Sequence, residues 1–233
     1  MKAVITGATK GIGLAIAHKF AKNGVDLIMN ARNEEDLKSV KDIFNKAYAN
    51  VQVEIFKADL SNKEATLSLG EYCKNSFEKI DILVNNAGVF LPGETHNEES
   101  GTLEKMIETN LYSAYYLSQS LIPGMIKNQS GHIFNMCSIA SKIAYPNGGS
   151  YSISKFALLG FSKVLREELK DKGIKVTAIL PGATWSNSWV GVELPESRLM
   201  QANDIAEAVW SATQMSPSAV VEEIVIRPQL GDL

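Results

Sequence analysis

Cysteine and histidine are scarce in this sequence of 233 residues. The two cysteines, Cys73 and Cys137, lie far apart, and the three histidines do not cluster with them or with acidic residues. Neither residue type shows the spacing of a metal site, so we expect no bound metal. We interpret both cysteines as buried free thiols.

An excess of one charge and long apolar runs are also lacking. The 23 basic and 26 acidic residues leave a formal net charge of −3, and no basic block stands out. We therefore expect no nucleic-acid partner. No run is long enough to span a membrane, and Met1-Lys2 leads straight into the short apolar stretch Ala3–Ile5 without a signal-peptide pattern. We expect no membrane partner and a cytoplasmic location.

Short apolar runs alternate with longer amphipathic segments along the chain. This pattern predicts a parallel sheet covered by helices on both faces, the three-layer, doubly wound α/β fold of the Rossmann type. The length fits one domain, 1–233. The predicted strands are Lys2–Thr6, Asp26–Asn30, Val51–Lys57, Ile80–Asn85, Gly131–Cys137, Lys175–Leu180 and Val220–Ile226. The predicted helices are Gly13–Asn23, Glu34–Ala49, Lys63–Phe77, Leu103–Asn128, Tyr151–Lys172 and Ala202–Met215.

Two predicted helices begin with capping signals. Asn33 precedes a first turn that contains Glu34, so we expect its side chain to cap that helix. Ser61 lies three residues before Glu64, which fits a capping box.

A glycine-rich turn, Thr6–Gly13, joins the first strand to the first helix. Glycines allow a tight turn and a close approach of the backbone to a pyrophosphate, which the first helical amides would face. The spacing G-x-x-x-G-x-G differs from the standard fingerprint, and an ordinary turn could also show it. Its position between a strand and a helix favours a dinucleotide site. The residues assigned to it are Gly7, Thr9, Lys10, Gly11, Ile12 and Gly13.

The end of the second strand indicates which dinucleotide binds. NAD is usually recognised there by an acidic side chain, but the run Met29–Asn33 has none, and the first acid after the strand is Glu34. Arg32 could instead bind a 2′-phosphate through its guanidinium group, with Lys10 as a second cation nearby. Glu34 and Glu35 argue mildly for NAD(H), and both cations could be ordinary surface residues. We predict NADP(H) as the preferred cofactor.

Tyr151 and Lys155 lie one helical turn apart at the start of a predicted helix. A phenol ordinarily has a pKa of ~10, and a neighbouring ammonium group lowers that pKa, which would help Tyr151 to exchange a proton at neutral pH. Lys155 could also hold ribose hydroxyls. The same spacing is common in surface pairs on amphipathic helices, so further residues are needed to decide.

Those residues follow other predicted strands. Ser138 and the segments Asn85–Gly88 and Pro181-Gly182 come directly after strands, at the carboxyl edge where open α/β sheets bind ligands. Asn110 lies inside a predicted helix, where asparagine is unfavourable, so we expect a local bend there.

Together these segments resemble the short-chain dehydrogenase/reductase family over essentially the whole chain. The resemblance implies the sheet order 3-2-1-4-5-6-7, an NADP(H)-dependent enzyme acting on a carbonyl or a secondary alcohol, and a homodimer or homotetramer. The matching segments are Thr6–Gly13, Asp59-Leu60, Asn85–Gly88, Asn110, Ser138, Tyr151-x-x-x-Lys155 and Pro181-Gly182.

The resemblance also implies residue roles. Tyr151 would be the catalytic acid–base, and Ser138 would polarise the carbonyl. Lys155 would clamp the ribose, and Asn110 would anchor a water that relays protons to Lys155. Either Thr184 or Ser186 would contact the nicotinamide amide. The remaining implied cofactor contacts are Ala31, Arg32, Asp59, Leu60, Asn86, Ala87, Gly88, Tyr151, Pro181, Gly182 and the backbone amide of Ile12.

The substrate is the least determined part. The stretch 183–195 has no Lys or Arg, so we expect a small, neutral ketone or aldehyde in a fairly open pocket, although Lys142 could serve an anion from the other side. The tryptophans fit loop packing equally well. Candidate pocket walls are Phe90, Tyr145, Trp185 and Trp189, and the substrate contacts assigned are Ser138, Tyr145, Tyr151 and Trp185.

Two other functions fit the same fold. Epimerases and dehydratases resemble longer members with a C-terminal substrate domain, which this sequence is too short to include. A non-catalytic NADP(H)-binding sensor or scaffold would commonly lack the tyrosine or the lysine. All four catalytic positions are filled here, which favours the oxidoreductase.

Overall fold

Seven parallel strands form one sheet in the computed structural model, in the order β3-β2-β1-β4-β5-β6-β7. The structure describes residues 1–185 and 195–231. The observed strand order confirms the order 3-2-1-4-5-6-7 that the resemblance implied. The strands are β1 (Lys2–Thr6), β2 (Asp26–Ala31), β3 (Val53–Lys57), β4 (Ile82–Asn85), β5 (Gly131–Met136), β6 (Ile174–Pro181) and β7 (Glu223–Ile226).

Helices cover both faces of this sheet, which confirms the three-layer fold. The predicted helix Leu103–Asn128 contains a π-helical turn, Glu108–Tyr112, that separates α4 from α5. The helices are α1 (Gly11–Lys22), α2 (Glu34–Ala47), α3 (Lys63–Ser76), α4 (Thr102–Ile107), α5 (Ser113–Lys127), α6 (Gly149–Leu169) and α7 (Ala202–Thr213). Among the residues described, no helix is long and apolar enough to cross a membrane.

The hydrophobic core lies in two layers, one on each face of the sheet. In β1, Ala3 and Ile5 belong to the first layer and Val4 to the second, because successive strand side chains point to opposite faces. Burial of these layers holds the strands in place, so the carboxyl ends of the strands lie along one well-defined edge of the sheet. The first layer packs on α1, α2 and α7, and the second on α3, α5 and α6.

One predicted cap is confirmed and the other is wrong. The Asn33 side chain accepts a 2.9 Å hydrogen bond from the amide of Asp36. At the start of α3, however, the cap is Asn62, which accepts a 2.8 Å bond from the amide of Ala65. The Ser61 hydroxyl is turned away to the Asp59 carboxylate, 2.9 Å distant.

Candidate active site

The glycine turn leaves the start of α1 open. Gly7 and Gly11 have φ values of +63° and +54°, in the left-handed region that favours glycine. A Cβ on Gly13 would lie 2.3 Å from the carbonyl oxygen of Gly7, so only glycine fits there. No side chain caps this helix and its first turn contains no acid. Its first amides are therefore free to face an anion.

Thr6 fastens the glycine turn to the end of β4. Its hydroxyl accepts 2.9 Å hydrogen bonds from the amides of Asn86 and Ala87. The Asn86 side chain donates in return to the carbonyl oxygens of Thr6 and Gly7, at 2.9 and 3.1 Å. Two predicted parts of the site are thus joined directly. The sequence placed Thr6 in the motif but gave no signal for this role, which depends on pairing between β1 and β4.

Arg32 lies at a shallow surface cleft after β2. The Arg32 side chain is exposed, and within residues 1–185 and 195–231 it has no ion pair or hydrogen-bond partner. Lys10 instead forms a 3.0 Å ion pair with Asp36 of α2. The cleft is lined by Arg32, Asn33, Glu34, Glu35, Lys38 and Lys57.

The charge of Glu34 is offset by two lysines in the same cleft. Lys38 lies 2.7 Å and Lys57 3.8 Å from its carboxylate oxygens. The hydrogen bond and charge of Lys38 lower the pKa of Glu34, with a further contribution from Lys57. One of the two acids that argued for NAD(H) is therefore already engaged.

Asp59 and Leu60 lie beyond the end of β3. Asp59 is exposed, and its Oδ1 accepts bonds from the amide and hydroxyl of Ser61, at 3.1 and 2.9 Å. Leu60 is buried. These contacts orient the Asp59 carboxylate at the same edge as Ala31, the last residue of β2.

Tyr151 lies in the first turn of α6, against two other predicted site residues. The Phe90 ring packs edge-on at 4.9 Å between centroids. Burial raises the pKa of Tyr151 above its usual 10.0, and a hydrogen bond with Ser138 opposes that rise. Burial also raises the pKa of Tyr145 to about 12, and Tyr145 is close enough to interact with Tyr151 electrostatically.

Lys155 is buried, with its ammonium group over the face of the Tyr151 ring. Its ammonium nitrogen donates a 2.8 Å bond to the Met136 carbonyl and lies 5.7 Å from the Tyr151 ring centre. Burial lowers the pKa of Lys155 to about 8. The raised pKa of Tyr151 is thus opposite to the direction expected from the Tyr–Lys spacing, since burial outweighs any effect of this cation.

Asn110 lies in the π-helical turn and holds the segment after β4. Its Oδ1 accepts a 2.7 Å bond from the amide of Val89, and its Nδ2 donates to the Val89 carbonyl at 3.0 Å. A third bond, of 2.9 Å, reaches the Ser154 hydroxyl of α6. The expected local bend is therefore a π-helical turn. Gly88 permits the close approach, since a Cβ there would lie 3.2 Å from the Asn110 Oδ1 and 3.5 Å from the Lys155 Nζ.

The segment after β6 is only partly described. β6 ends at Pro181, and Gly182 donates a 2.7 Å bond to the carbonyl of Ile226. Thr184 is buried and its hydroxyl bonds the Gly182 carbonyl at 3.0 Å. The backbone amide of Trp185 donates a 2.8 Å hydrogen bond to the carbonyl oxygen of Met200. Two further candidates, Ser186 and Trp189, lie outside the described residues.

Lys142 has an acidic partner. It forms an ion pair with Glu223 of β7, whose other carboxylate oxygen lies 3.4 Å from Lys163. Within the two described ranges no group of three or more His, Cys, Asp or Glu side chains lies together in a way that could hold a metal ion.

A parallel sheet of this order, with a glycine turn at its carboxyl edge, defines a Rossmann-type protein. The family model for short chain dehydrogenases matches residues 1–194, and the chain belongs to that family. A relative from Staphylococcus saprophyticus, named as an uncharacterized oxidoreductase, is 34% identical over 97% of this chain and 96% of its own length.

Solved structures show the same fold with a nucleotide bound. A metagenomic short-chain oxidoreductase in complex with NADP is 30% identical, with a TM-score of 0.85 over 98% of this chain and 97% of its own. An alcohol dehydrogenase from the archaeon Thermococcus sibiricus, complexed with 5-hydroxy-NADP, is 25% identical, with a TM-score of 0.91 over 100% of this chain and 98% of its own.

Proposed function

We propose that the protein is an NADP(H)-dependent oxidoreductase of one domain, 1–233, that interconverts a carbonyl and a secondary alcohol on a small neutral substrate. The observation that carries this proposal is the meeting of Tyr151, Ser138 and Lys155 at the carboxyl edge of the sheet, beside the glycine turn. When bound, the nicotinamide supplies or accepts the hydride.

The residues at the edge fit a phosphorylated dinucleotide. The uncapped start of α1 offers amides to the pyrophosphate, and glycine at position 13 lets α1 pack closely on the glycine turn. Arg32 offers an unengaged guanidinium group to the 2′-phosphate, while the negative charge of Glu34 is offset by Lys38 and Lys57. Two solved neighbours bind NADP or 5-hydroxy-NADP, which agrees with this cofactor. NAD(H) remains the less favoured choice.

The assigned nucleotide contacts run along this edge from the glycine turn to the end of β6. The Asp59 carboxylate would receive the adenine amine, with the Leu60 backbone beside it. Thr184, which is buried just after β6, would contact the nicotinamide amide. The contacts are Gly7, Thr9, Lys10, Gly11, Ile12, Gly13, Ala31, Arg32, Asp59, Leu60, Asn86, Ala87, Gly88, Tyr151, Lys155, Pro181, Gly182 and Thr184.

Tyr151 would move the proton. In the reducing direction Ser138 and Tyr151 donate hydrogen bonds to the substrate oxygen as negative charge builds on it, and Tyr151 then gives up its proton. A raised phenol pKa keeps Tyr151 protonated and ready to donate. Lys155 would hold the ribose and supply the next proton, while Asn110 positions the segment after β4 and a relay water.

The pocket walls support a neutral substrate. Phe90 and Tyr145 bring aromatic surface to Tyr151, and Lys142 is held by Glu223 rather than offered to an anion. Trp185 would close the side after β6. We therefore assign Ser138, Tyr145, Tyr151 and Trp185 as substrate contacts.

The decisive experiment is NADPH consumption by the purified protein with a panel of ketones, aldehydes and quinones, beside a Tyr151→Phe variant. Turnover that depends on the Tyr151 hydroxyl supports the proposal. Tight NADPH binding without turnover on any member of the panel would favour a sensor or scaffold instead.

The protein would act as a homo-oligomer. Ile153, Phe156 and Val164 are exposed apolar residues at helical spacing along α6. Two further exposed rings come from Tyr112, the last residue of the π-helical turn, and from Tyr115 of the neighbouring α5. Tyr115 contacts Phe161 of α6, with 5.5 Å between ring centroids, so the two sets lie on adjoining helices. A second copy of the chain is the proposed partner for this face.

A further inference from the structure

Helix α6, which carries Tyr151, has no capping side chain at its N-cap residue. It begins at Gly149, and the preceding Gly148 has no side chain to accept hydrogen bonds from the first turn. A carboxylate 52 residues earlier takes that place. Glu98 accepts a 2.9 Å bond from the amide of Ser150 and a second, short bond from the Ser150 hydroxyl.

The contact is closely fitted. A Cβ on Gly149 would lie 2.1 Å from the Glu98 Oε1, and a Cβ on Gly93 would lie 2.8 Å from the Glu98 Cγ. Neither glycine has a positive φ, so space rather than backbone conformation favours glycine at both positions. The amide of Gly93 also donates a 3.1 Å bond to the carbonyl of Asn147.

The same segment also contacts Tyr151. Residues 89–98 begin at Val89, which Asn110 holds, and continue through Phe90, whose ring packs edge-on against Tyr151. The segment is therefore attached to α6 at two places, to Ser150 through Glu98 and to Tyr151 through Phe90. Displacement of Glu98 would remove the first of these attachments.

We infer that Glu98 is a positioning residue that sets the placement of the Tyr151 hydroxyl by capping α6 from the segment 89–98. The inference rests on the proposed role of Tyr151 as the proton donor. A carboxylate at this place is also favoured by the positive end of the α6 dipole. Its effect on catalysis comes through geometry, because Tyr151 has its pKa set by burial, Ser138 and Cys137 rather than by Glu98.

The test compares Glu98→Ala, Glu98→Gln and Glu98→Asp with a matched control, Glu99→Ala. Glu99 is the next residue and is exposed. For the Ala and Asp variants we expect kcat to fall by about 10- to 100-fold, because small displacements of a reacting group have effects of this size. The KM for NADPH should stay within about twofold, since most of the assigned nucleotide contacts lie outside α6.

Glu98→Gln supplies the rescue. Its amide oxygen can accept the Ser150 amide and its NH₂ group can donate to the Ser150 hydroxyl, so kcat should stay within about threefold of the parent. A merely structural cap would lower the melting temperature of the Ala variant without moving kcat at a temperature where it is folded. If Glu98→Ala does not fold, Glu98→Asp gives the same comparison.

The outcomes separate this inference from the proposed function. Loss of kcat in Glu98→Ala or Glu98→Asp, with rescue by Gln, supports it. A kcat equal to that of Glu99→Ala, while Tyr151→Phe is inactive, overturns it. Full activity of Tyr151→Phe would instead overturn the proposed function.

Discussion

The ammonium nitrogen of Lys155 lies 2.8 Å from the carbonyl oxygen of Met136, the last residue of β5. This bond joins α6, which carries Tyr151, to the strand that ends two residues before Ser138. Lys155 therefore ties the helix of the proposed proton donor to the strand that leads to the residue that would polarise the carbonyl. It does so from a buried position, where a charged side chain is held by the protein and not by solvent.

Replacement of Tyr151 by Phe should remove the reaction and leave the site intact. The ring still packs on Phe90, while the proton donor is lost, so we expect kcat to fall by about 10²- to 10⁴-fold. NADPH affinity, measured by fluorescence titration, should stay within about threefold. Near-normal turnover would exclude Tyr151 as the acid–base.

Replacement of Arg32 by Ala should discriminate between the two nicotinamide cofactors. A charged hydrogen bond to the 2′-phosphate would be lost, so we expect NADPH affinity to fall by about 10- to 100-fold. NADH lacks that phosphate and serves as the internal control, with little change in its Kd. An equal loss for both cofactors would contradict the assignment of Arg32.

His132 should make the fold sensitive to acid. Burial, with a smaller contribution from the charge of Lys175, lowers its pKa to about 3 from 6.5, and its ring bonds the Thr177 hydroxyl at 2.7 Å. Between pH 6.5 and 3, His132 is protonated in the unfolded chain but stays neutral in the folded chain. The free energy of unfolding should therefore drop by up to about 1.4 kcal/mol for each pH unit between 6.5 and 3.

Urea unfolding of the parent and of His132→Asn, from about pH 7.5 to about pH 4.5, checks this expectation. The variant should lose less stability on acidification than the parent. Identical slopes for both proteins would show that other groups cause the acid sensitivity.

Thr6→Val should separate the hydroxyl from the shape of its side chain. The valine fits the same space but leaves the amides of Asn86 and Ala87 without their acceptor, so we expect a loss of about 1–3 kcal/mol in the free energy of unfolding. NADPH binding should weaken as well, because the segment after β4 is no longer tied to the glycine turn. Thr6→Ser keeps the hydroxyl and is the matched control.

Phe156→Glu should break the proposed homo-oligomer. The Phe156 side chain is 46% exposed in the single chain, so a glutamate there is tolerated in the monomer but places charge in a buried interface. We expect a smaller mass in sedimentation or light scattering, with an unchanged circular dichroism spectrum. A monomeric parent protein would refute the interface outright.

The strands were predictable because burial on both faces leaves continuous apolar runs, as at Ala3–Ile5. The residues at which the strands begin and end were harder to predict. β7 begins at Glu223 rather than Val220, because pairing with β6 begins at the Ala178 and Glu223 pair. The prediction that Ser61 caps α3 was wrong because Ser61 and Asn62 are both good capping residues. Only the structure shows that the Ser61 hydroxyl donates a hydrogen bond to the Asp59 carboxylate.

The predicted site residues that the structure describes lie along one edge because parallel strands end there together. What the sequence could not show are contacts between distant segments. Glu98 and Ser150 share no motif, and the Thr6 hydroxyl reaches amides about 80 residues away. The pKa of Tyr151 depends on how deeply α6 packs, so spacing alone indicated the wrong direction.

The π-helical turn at Glu108–Tyr112 is a matter of chain length rather than side-chain type. Such a turn contains one more residue than an α-helical turn. Deleting that residue would keep every remaining side chain and rotate α5 by about 100° relative to α4. Either Asn110 would leave Val89, or Leu117 and Leu121 would leave the second core layer. No point substitution can repair that shift, whereas a one-residue insertion in the same turn would restore the phase of both helices.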